Sequence, residues 1–259
     1  MKLSLLTYDM AGDLALDTLI EYANKYGYAG LEFRVEFNHN HGVELERTSE
    51  ERAEIRRKLE DNYLSVASIA TGSRFESPSE KERSQQIEKT KKYIELASDL
   101  DAPNLRVFGN NIPEGVKTDD CINWVGESLA ELGKYAEDYD VNIGLEMHGQ
   151  FNYWKYALRT VEIADHPRVG IVYNCDDRDV IAGSIRETYS YIRDHIIHIH
   201  MHNLESDYPY VELFKLLLDD DYQGFLSSEA SATEDPERAI AMYASLWRAY
   251  MKIARLERK

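Results

Sequence analysis

The sequence has few cysteines and no long apolar run. Its 259 residues include only Cys121 and Cys175, too few for a disulfide framework. No segment approaches the ~18 consecutive apolar residues that a membrane helix needs. Asp9 and Asp13 interrupt the apolar start of the chain, which predicts a first strand rather than a signal peptide. We therefore expect a reduced, cytoplasmic protein without a membrane partner.

Basic residues and flexible linkers are also scarce. The chain has 30 Lys and Arg against 47 Asp and Glu, a net charge of −17. Such a field repels phosphodiester backbones, and no stripe of basic residues opposes it, so we expect no nucleic-acid partner. There are only six prolines and no Gly/Ser-rich tract or change in composition. We predict one domain over residues 1–259.

Short β-rich runs alternate with longer helical patterns along the chain. The predicted strands begin roughly 26–40 residues apart, the spacing of an α/β protein with the (β/α)₈ barrel fold. An open doubly wound sheet would need a glycine-rich turn after the first strand, and the turn Tyr8–Gly12 lacks it. The predicted strands are Lys2–Thr7, Ala29–Arg34, Leu64–Ala70, Asn104–Phe108, Val141–Met147, Val169–Tyr173, Ile196–Met201 and Gly224–Ser228.

Capping residues set the predicted helix starts. Thr48 followed by Glu51 is a capping-box pattern. Asp235 before Pro236 combines a cap with proline in the first helical turn. We predict helices over Leu14–Tyr26, from Thr48 to about Asp61, from Ser79 to near Leu100, and over Thr118–Tyr139, Tyr153–Ala164, Val180–Tyr191, Tyr210–Leu218 and Pro236–Leu256.

The alternation of side chains along a strand predicts which of them face the barrel axis. In the fifth strand the apolar set contains Ile143 and Leu145, so Glu146 and His148 should face inward. In the seventh strand Ile197, Ile199 and Met201 should face outward and His198, His200 and His202 inward. The polar residues that we expect at the inner C-terminal ends are Glu32, Arg34, Arg106, Glu146, His148, Asn174, His200, His202 and Glu229.

This inward set indicates a metal site. So many ionisable groups are costly to bury unless they are paired or bind a cation, and barrel enzymes place their active sites at this end. Two carboxylates, an imidazole and an amide oxygen suit one divalent ion, with Mn²⁺ favoured and Mg²⁺, Co²⁺ or Zn²⁺ as alternatives. The candidate ligands are Glu146, Asn174, His200 and Glu229.

Four segments resemble the xylose isomerase-like TIM barrel superfamily, which contains sugar-phosphate isomerases and epimerases and family 2 AP endonucleases. They are GLEMH (144–148), VGIVYN (169–174), IIHIHMHN (196–203) and SSE (227–229). The resemblance implies a Glu, Asp, His, Glu ligand set at these strand ends, with Asn174 in place of Asp. Asp176 or Asp177 could supply the missing carboxylate. The third strand lacks the histidine that an endonuclease IV-type zinc cluster needs.

The resemblance also departs from the ketohexose 3-epimerases. Their substrate-binding His and Arg correspond to Asp177 and Ser206 here. The Lys-Asp pair that the family often has after the seventh-strand histidine corresponds to His202 and Asn203. A simple free-ketose 3-epimerase is therefore not the expectation. Cys175, next to Asn174, should face outward and carries no predicted chemistry.

The implied reaction is isomerisation or epimerisation of a keto-sugar or related polyol through an enediolate. Glu146 and Glu229 would transfer the proton. We expect the substrate to contact His148, His202, Arg106, Glu32, Asp177 and His41. A lyase or dehydratase acting on an inosose or 3-keto-glycoside would use the same residues. A non-catalytic sugar-binding or partner subunit is a third hypothesis for the function. Homo-oligomers could form through Tyr243, Trp247 and Tyr250 of the last helix.

Overall fold

A computed structural model describes residues 1–258, and within them eight parallel strands close into a barrel in sequence order. This confirms the predicted (β/α)₈ fold. The strands are β1 (Lys2–Leu6), β2 (Gly30–Arg34), β3 (Ser65–Arg74), β4 (Asn104–Phe108), β5 (Asn142–Glu146), β6 (Val169–Asn174), β7 (Ile196–Met201) and β8 (Phe225–Ser228). The helices are α1 (Leu16–Tyr26), α2 (Ser49–Asp61), α3 (Glu80–Asp99), α4 (Thr118–Ala136), α5 (Trp154–Ala164), α6 (Arg186–Ile192), α7 (Tyr210–Asp219) and α8 (Pro236–Glu257).

Two helices begin where their capping residues predict. At α2 the backbone N–H of Glu51 donates to Thr48 Oγ1 at 3.2 Å, and the Glu51 carboxylate accepts from the N–H of Thr48 at 2.8 Å. At α8 the side chain of Asp235 accepts from the N–H of Arg238, and Pro236 occupies the first turn. Over residues 1–258 no helix combines the length and apolarity needed to cross a bilayer.

The sixth helix is shorter than predicted. A 3₁₀ turn covers Asp177–Asp179, a tight turn then joins Ile181 to Ser184, and α6 begins only at Arg186. Ala182 and Gly183 have φ angles of +51° and +82°. A right-handed helix cannot continue through two left-handed residues. The prediction of a helix from Val180 to Tyr191 is therefore wrong in its first half.

The seventh strand contains an irregularity that turns one side chain. The register with β6 shifts between Ile171, which pairs with Ile196, and Val172, which pairs with His198. Ile197 is the extra residue, and a Cβ atom placed on Gly170 would lie 2.5 Å from its Cγ2. Ile197 thus packs inside the barrel, and its predicted outward orientation is wrong. Simple alternation fails where a bulge adds a residue.

Two of the aromatic residues considered for oligomer contacts hydrogen-bond to the barrel. The hydroxyl of Tyr243, a buried residue, donates to the carbonyl oxygens of Met201 and His202 at 2.9 Å. Tyr250 donates to the carbonyl oxygen of Leu204 at 3.1 Å. These hydrogen bonds hold the β7–α7 loop, which carries part of the barrel mouth, against α8.

Candidate metal and active site

His200, at the end of β7, is the centre of the inner cluster. Its side chain is fully buried, and its Nε2 lies 3.0 Å from Glu32 Oε1. Its Nδ1 lies 3.6 Å from Glu146 Oε1 and 3.5 Å from Glu229 Oε2. If Nε2–H donates to Glu32, the Nδ1 lone pair is directed towards the other two carboxylates. Three of the four predicted metal ligands thus meet around one point.

The polar atoms at this point have no hydrogen-bond partner among residues 1–258. His200 Nδ1 and Glu229 Oε2 are both buried without one. One ligand atom from each of Glu146, His200 and Glu229 falls in a group whose members lie within 4.8 Å of one another. Unpaired buried polar atoms are uncommon and call for an explanation. Two carboxylates and an imidazole fit a divalent cation, so these residues fit the metal that the sequence predicts.

The charges in the cluster favour a cation. Burial alone would lower the pKa of His200, but Glu32 and Glu146 outweigh it and raise that pKa well above its ordinary value. Burial alone would raise the pKa of Glu146, but Arg106 and His200 lower it to about 2. Glu146 is therefore ionised at neutral pH, and the cluster attracts positive charge, which either a proton on His200 Nδ1 or a cation that displaces this proton supplies.

Glu32, which we expected to contact substrate, lies deeper in the barrel than the carboxylates of the cluster and faces two histidines. The side chain is fully buried, and its second oxygen is 2.8 Å from His198 Nε2. His198 also lies 3.0 Å from Ser227 Oγ, which is 2.7 Å from Ser4 Oγ. Both Glu32 oxygens are occupied by histidines. Glu32 therefore orients His200, as outer carboxylates do for metal-binding histidines.

At the end of β6, the predicted ligand Asn174 already has a hydrogen-bond partner. The Oδ1 atom of Asn174 accepts a hydrogen bond from His202 Nε2 at 2.6 Å, which leaves one lone pair of that oxygen for an ion. Both carboxylate oxygens of Asp176 accept from Arg178, at 2.8 and 2.7 Å. Asp177 is exposed. Asn174 remains the better candidate of the three for a ligand from β6.

A cavity of about 290 Å³ lies among the segments that follow β6, β7 and β8, and Glu229, His202 and Asp177 contribute to its wall. His148 is exposed, and its Nδ1 lies 3.1 Å from Asn110 Oδ1. The predicted substrate contacts Asp177 and His202 therefore border one open space that also reaches Glu229.

Arg106 is buried and contacts the cluster directly. Its Nε lies 2.9 Å from Glu146 Oε2, an ion pair without the angle of a hydrogen bond, and its Nη1 donates to the carbonyl oxygen of Thr71 at 2.6 Å. Arg106 thus holds the ionised form of Glu146 and fixes its position. The structure places its charge next to one of the two predicted catalytic carboxylates.

His41, which we expected to contact substrate, is buried and hydrogen-bonded to backbone on both ring nitrogens. Its Nδ1 accepts from the N–H of Val43 at 3.0 Å, so its Nε2–H donates to the carbonyl oxygen of Arg34 at 3.1 Å. Burial lowers the pKa of His41 to about 4. With both ring nitrogens bonded to backbone, this histidine stabilises the loop after β2.

Sequence reasoning did not find the buried carboxyl group of Asp179. Its Oδ1 accepts from Asn152 Nδ2 at 3.2 Å, while its Oδ2 has no partner among residues 1–258. Burial, with a contribution from Asp176, raises its pKa to about 8. The sequence of residues Asp176–Asp179 is typical of a solvated turn, and nothing in it predicts which carboxylate is buried.

The fold and site define a (β/α)₈ barrel with a candidate metal centre at its mouth. Residues 20–249 match the family described as "Xylose isomerase-like TIM barrel", and the chain belongs to this family.

Solved structures share the fold at low identity. The IOLI protein with a binding zinc atom has a TM-score of 0.83 and 16% identity, over 98% of this chain and 99% of that one. An L-ribulose 3-epimerase has a TM-score of 0.81 and 15% identity, over 99% and 96%. The 3-keto-D-glucoside 4-epimerase YcjR from E. coli has a TM-score of 0.77 and 17% identity, over 97% and 99%. A search of curated proteins gives no significant match.

Proposed function

We propose that this protein is a divalent-metal-dependent isomerase or epimerase of a keto-sugar or related polyol. The observation that carries the proposal is the unpartnered, buried Nδ1 of His200, which faces one carboxylate oxygen from each of Glu146 and Glu229. Two structures with the same fold are described as sugar epimerases. Their names support the substrate class.

Glu146, His200 and Glu229 would hold the ion, with Asn174 as the fourth ligand. When bound, a divalent ion supplies Lewis-acid polarisation of a substrate carbonyl. Mn²⁺ is the proposed metal, and Mg²⁺, Co²⁺ and Zn²⁺ are the alternatives to compare.

The two carboxylates would perform the proton transfer. One takes the proton α to the carbonyl, and the other returns a proton to the carbon skeleton. Return to the opposite face of the same carbon epimerises it, and return to the neighbouring carbon isomerises the substrate. Arg106 keeps Glu146 ionised and in place.

His202 and Asp177 border the mouth cavity and would bind substrate hydroxyl groups. His148, exposed at the end of β5, would contact the outer part of the substrate. These groups orient the substrate so that the carbon to be deprotonated lies next to the carboxylates.

Metal binding and proton exchange test the proposal. Protein stripped of metal should bind Mn²⁺ in calorimetry, and His200→Ala, Glu146→Gln and Glu229→Gln should each weaken that binding. The exposed carboxylate of Glu205 lies in the β7–α7 loop, and Glu205→Gln is the control that should bind normally.

A panel of keto-sugars in D₂O, followed by NMR, tests the reaction. Deuterium entry at carbon without loss of a substituent supports an isomerase or epimerase, whereas loss of a β-substituent indicates a lyase. Absence of both metal binding and exchange would contradict the proposal and favour a sugar-binding or partner subunit.

A further inference from the structure

We propose that Arg34 and Arg106 form a subsite for an anionic group of the substrate, a carboxylate or a phosphoryl group. The substrate would then be an acidic derivative of a keto-sugar. This inference rests on the proposed function for the keto-sugar part of the substrate, whereas the contacts of the two arginines support the anionic part independently.

The two arginines lie in one row across three neighbouring strands. Arg34 on β2 pairs in register with Ala70 on β3, which pairs with Arg106 on β4. Parallel strands are ~4.8 Å apart, so only the small side chain of Ala70 separates the two arginines. Their Nη1 atoms donate to consecutive carbonyl oxygens of β3, Arg34 to Ala70 at 2.9 Å and Arg106 to Thr71 at 2.6 Å.

Arg34 is the member of this row that has no carboxylate in direct contact. Arg34 is 7% exposed and forms no ion pair within 4.0 Å among residues 1–258. The nearby Glu36 pairs with Lys89 at 3.2 Å. Arg106 has one carboxylate partner, Glu146, which also belongs to the candidate metal cluster. A buried charge without a partner is strongly unfavourable, so an anion from the ligand would complete the row.

Both guanidinium groups are held in place by neighbouring groups. The ring of Phe37 lies 4.3 Å from Arg34 Cζ, and the ring of Phe108 lies 4.1 Å from Arg106 Cζ. Arg34 uses only its Nη1 in hydrogen bonds, to the carbonyl oxygens of Val35 and Ala70. The N–H groups on its Nε and Nη2 are therefore free to bind a planar carboxylate or a phosphoryl group in the fork geometry that arginine favours.

Burial and the charge of Arg106 lower the pKa of Arg34 to about 10. Arg34 therefore still carries its charge at neutral pH. The phenyl ring of Phe37, which is 55% exposed, covers one face of the guanidinium. A planar anion that uses the free N–H groups would approach along the edge of the guanidinium that carries them.

Calorimetry with paired ligands tests the subsite. The probes are D-gluconate against neutral D-glucitol, for a carboxylate, and D-glucose 6-phosphate against D-glucose, for a phosphoryl group, all at constant ionic strength. We expect at least one acidic probe to bind at least tenfold more tightly than its neutral partner. Arg34→Gln should remove this preference, and Arg34→Lys should reduce it at least threefold, because lysine lacks the fork.

Arg178→Gln is the matched control, since Arg178 lies at the same end of the barrel but is paired with Asp176. It should leave the preference unchanged. Equal binding of acidic and neutral probes by the unmodified protein, or an undiminished preference in the folded Arg34 variants, would overturn the inference. If Arg34→Gln does not fold, Arg34→Lys alone decides.

Repeating the titrations after chelation of metal separates this inference from the proposed function. A preference that survives chelation belongs to the arginines, even if the protein shows no isomerase activity. A preference that disappears on chelation assigns the anion to the metal centre and overturns the subsite.

Discussion

His200 has carboxylates on both sides, and Glu32 is the one that is fully buried. Loss of an outer carboxylate from a metal-binding histidine typically weakens metal binding about 10- to 100-fold. We therefore predict that Glu32→Gln raises the dissociation constant for Mn²⁺ at least tenfold, measured by calorimetry on stripped protein. Asp179→Asn, which also converts a buried carboxyl group to an amide but outside the cluster, should not. Equal affinities of the Glu32 variant and the parent would refute the orienting role.

Asn174 supplies one negative charge less than the aspartate that the family resemblance implies. An additional carboxylate should strengthen binding of a divalent cation and, without metal, repel Glu146 and Glu229. We predict that Asn174→Asp lowers the dissociation constant for Mn²⁺ about tenfold. It should also lower the melting temperature of the stripped protein, and Mn²⁺ should restore it. No change in either quantity would show that residue 174 lies outside the metal's ligand set.

Asp179 should make stability depend on pH in the direction opposite to an ordinary salt-bridged aspartate. Its pKa is raised from 3.8 to about 8, so between these values the folded state holds a proton that the unfolded state has lost. The free energy of unfolding should therefore fall as pH rises through this window.

Asp179→Asn removes the titration. We predict that the variant is more stable than the parent at pH 9, by roughly 1–3 kcal/mol, with little or no advantage at pH 5. Urea unfolding at both pH values measures the difference. The same difference at pH 5 and pH 9 would show that Asp179 ionises normally.

Strand alternation was sufficient to predict that Glu146, His200 and Glu229 lie close together, because the ends of parallel strands meet at one edge of the barrel. It could not distinguish a residue at the mouth from one below it, so Glu32 was expected to meet substrate. It also could not show that both nitrogens of His41 bond to backbone, because those bonds depend on the path of a loop. Burial and hydrogen-bond partners are properties of packing, which local sequence does not determine.

At the scale of elements, the turn before α6 depends on residues with positive φ. Gly183 has φ +82° with no atom within 4 Å of a Cβ placed there, so substitution would cost conformational energy only. We predict that Gly183→Ala lowers the free energy of unfolding by about 1 kcal/mol. Ala182→Gly, which relieves a positive φ of +51° in the same turn, should not be destabilising. Equal effects in urea unfolding would contradict this account.

The helices show which local sequence signals determine where an element begins. The capping box of Thr48 and Glu51 forms as predicted, because its partners are three residues apart and no distant contact competes. The start of α6 was misplaced because the apolar pattern around Val180 resembles a helix, while the two left-handed residues that interrupt it include an alanine. A left-handed alanine is uncommon, and sequence alone gave no reason to expect one.

At the scale of the whole barrel, closure requires small residues inside. A Cβ atom on Gly144 would lie 2.5 Å from Val172 Cγ2 and 3.2 Å from Ile197 Cδ1, so both contacts are to side chains. We predict that Gly144→Ala costs about 1–3 kcal/mol of unfolding free energy. Val172→Ala, which makes room for the methyl group, should reduce that cost in the double variant. Strict additivity in a double-mutant cycle would show that the two residues do not compete for the same space.

Below the metal cluster, Ser4, Glu32, His198 and Ser227 form a layer with no accessible surface. This layer separates the candidate site from the opposite end of the barrel, so under the proposed function substrate would enter from the mouth. Product would then leave through the same mouth, and it would occupy the same contacts until it does. Accumulated product should consequently act as a competitive inhibitor, and the forward and reverse reactions should share one diffusion path.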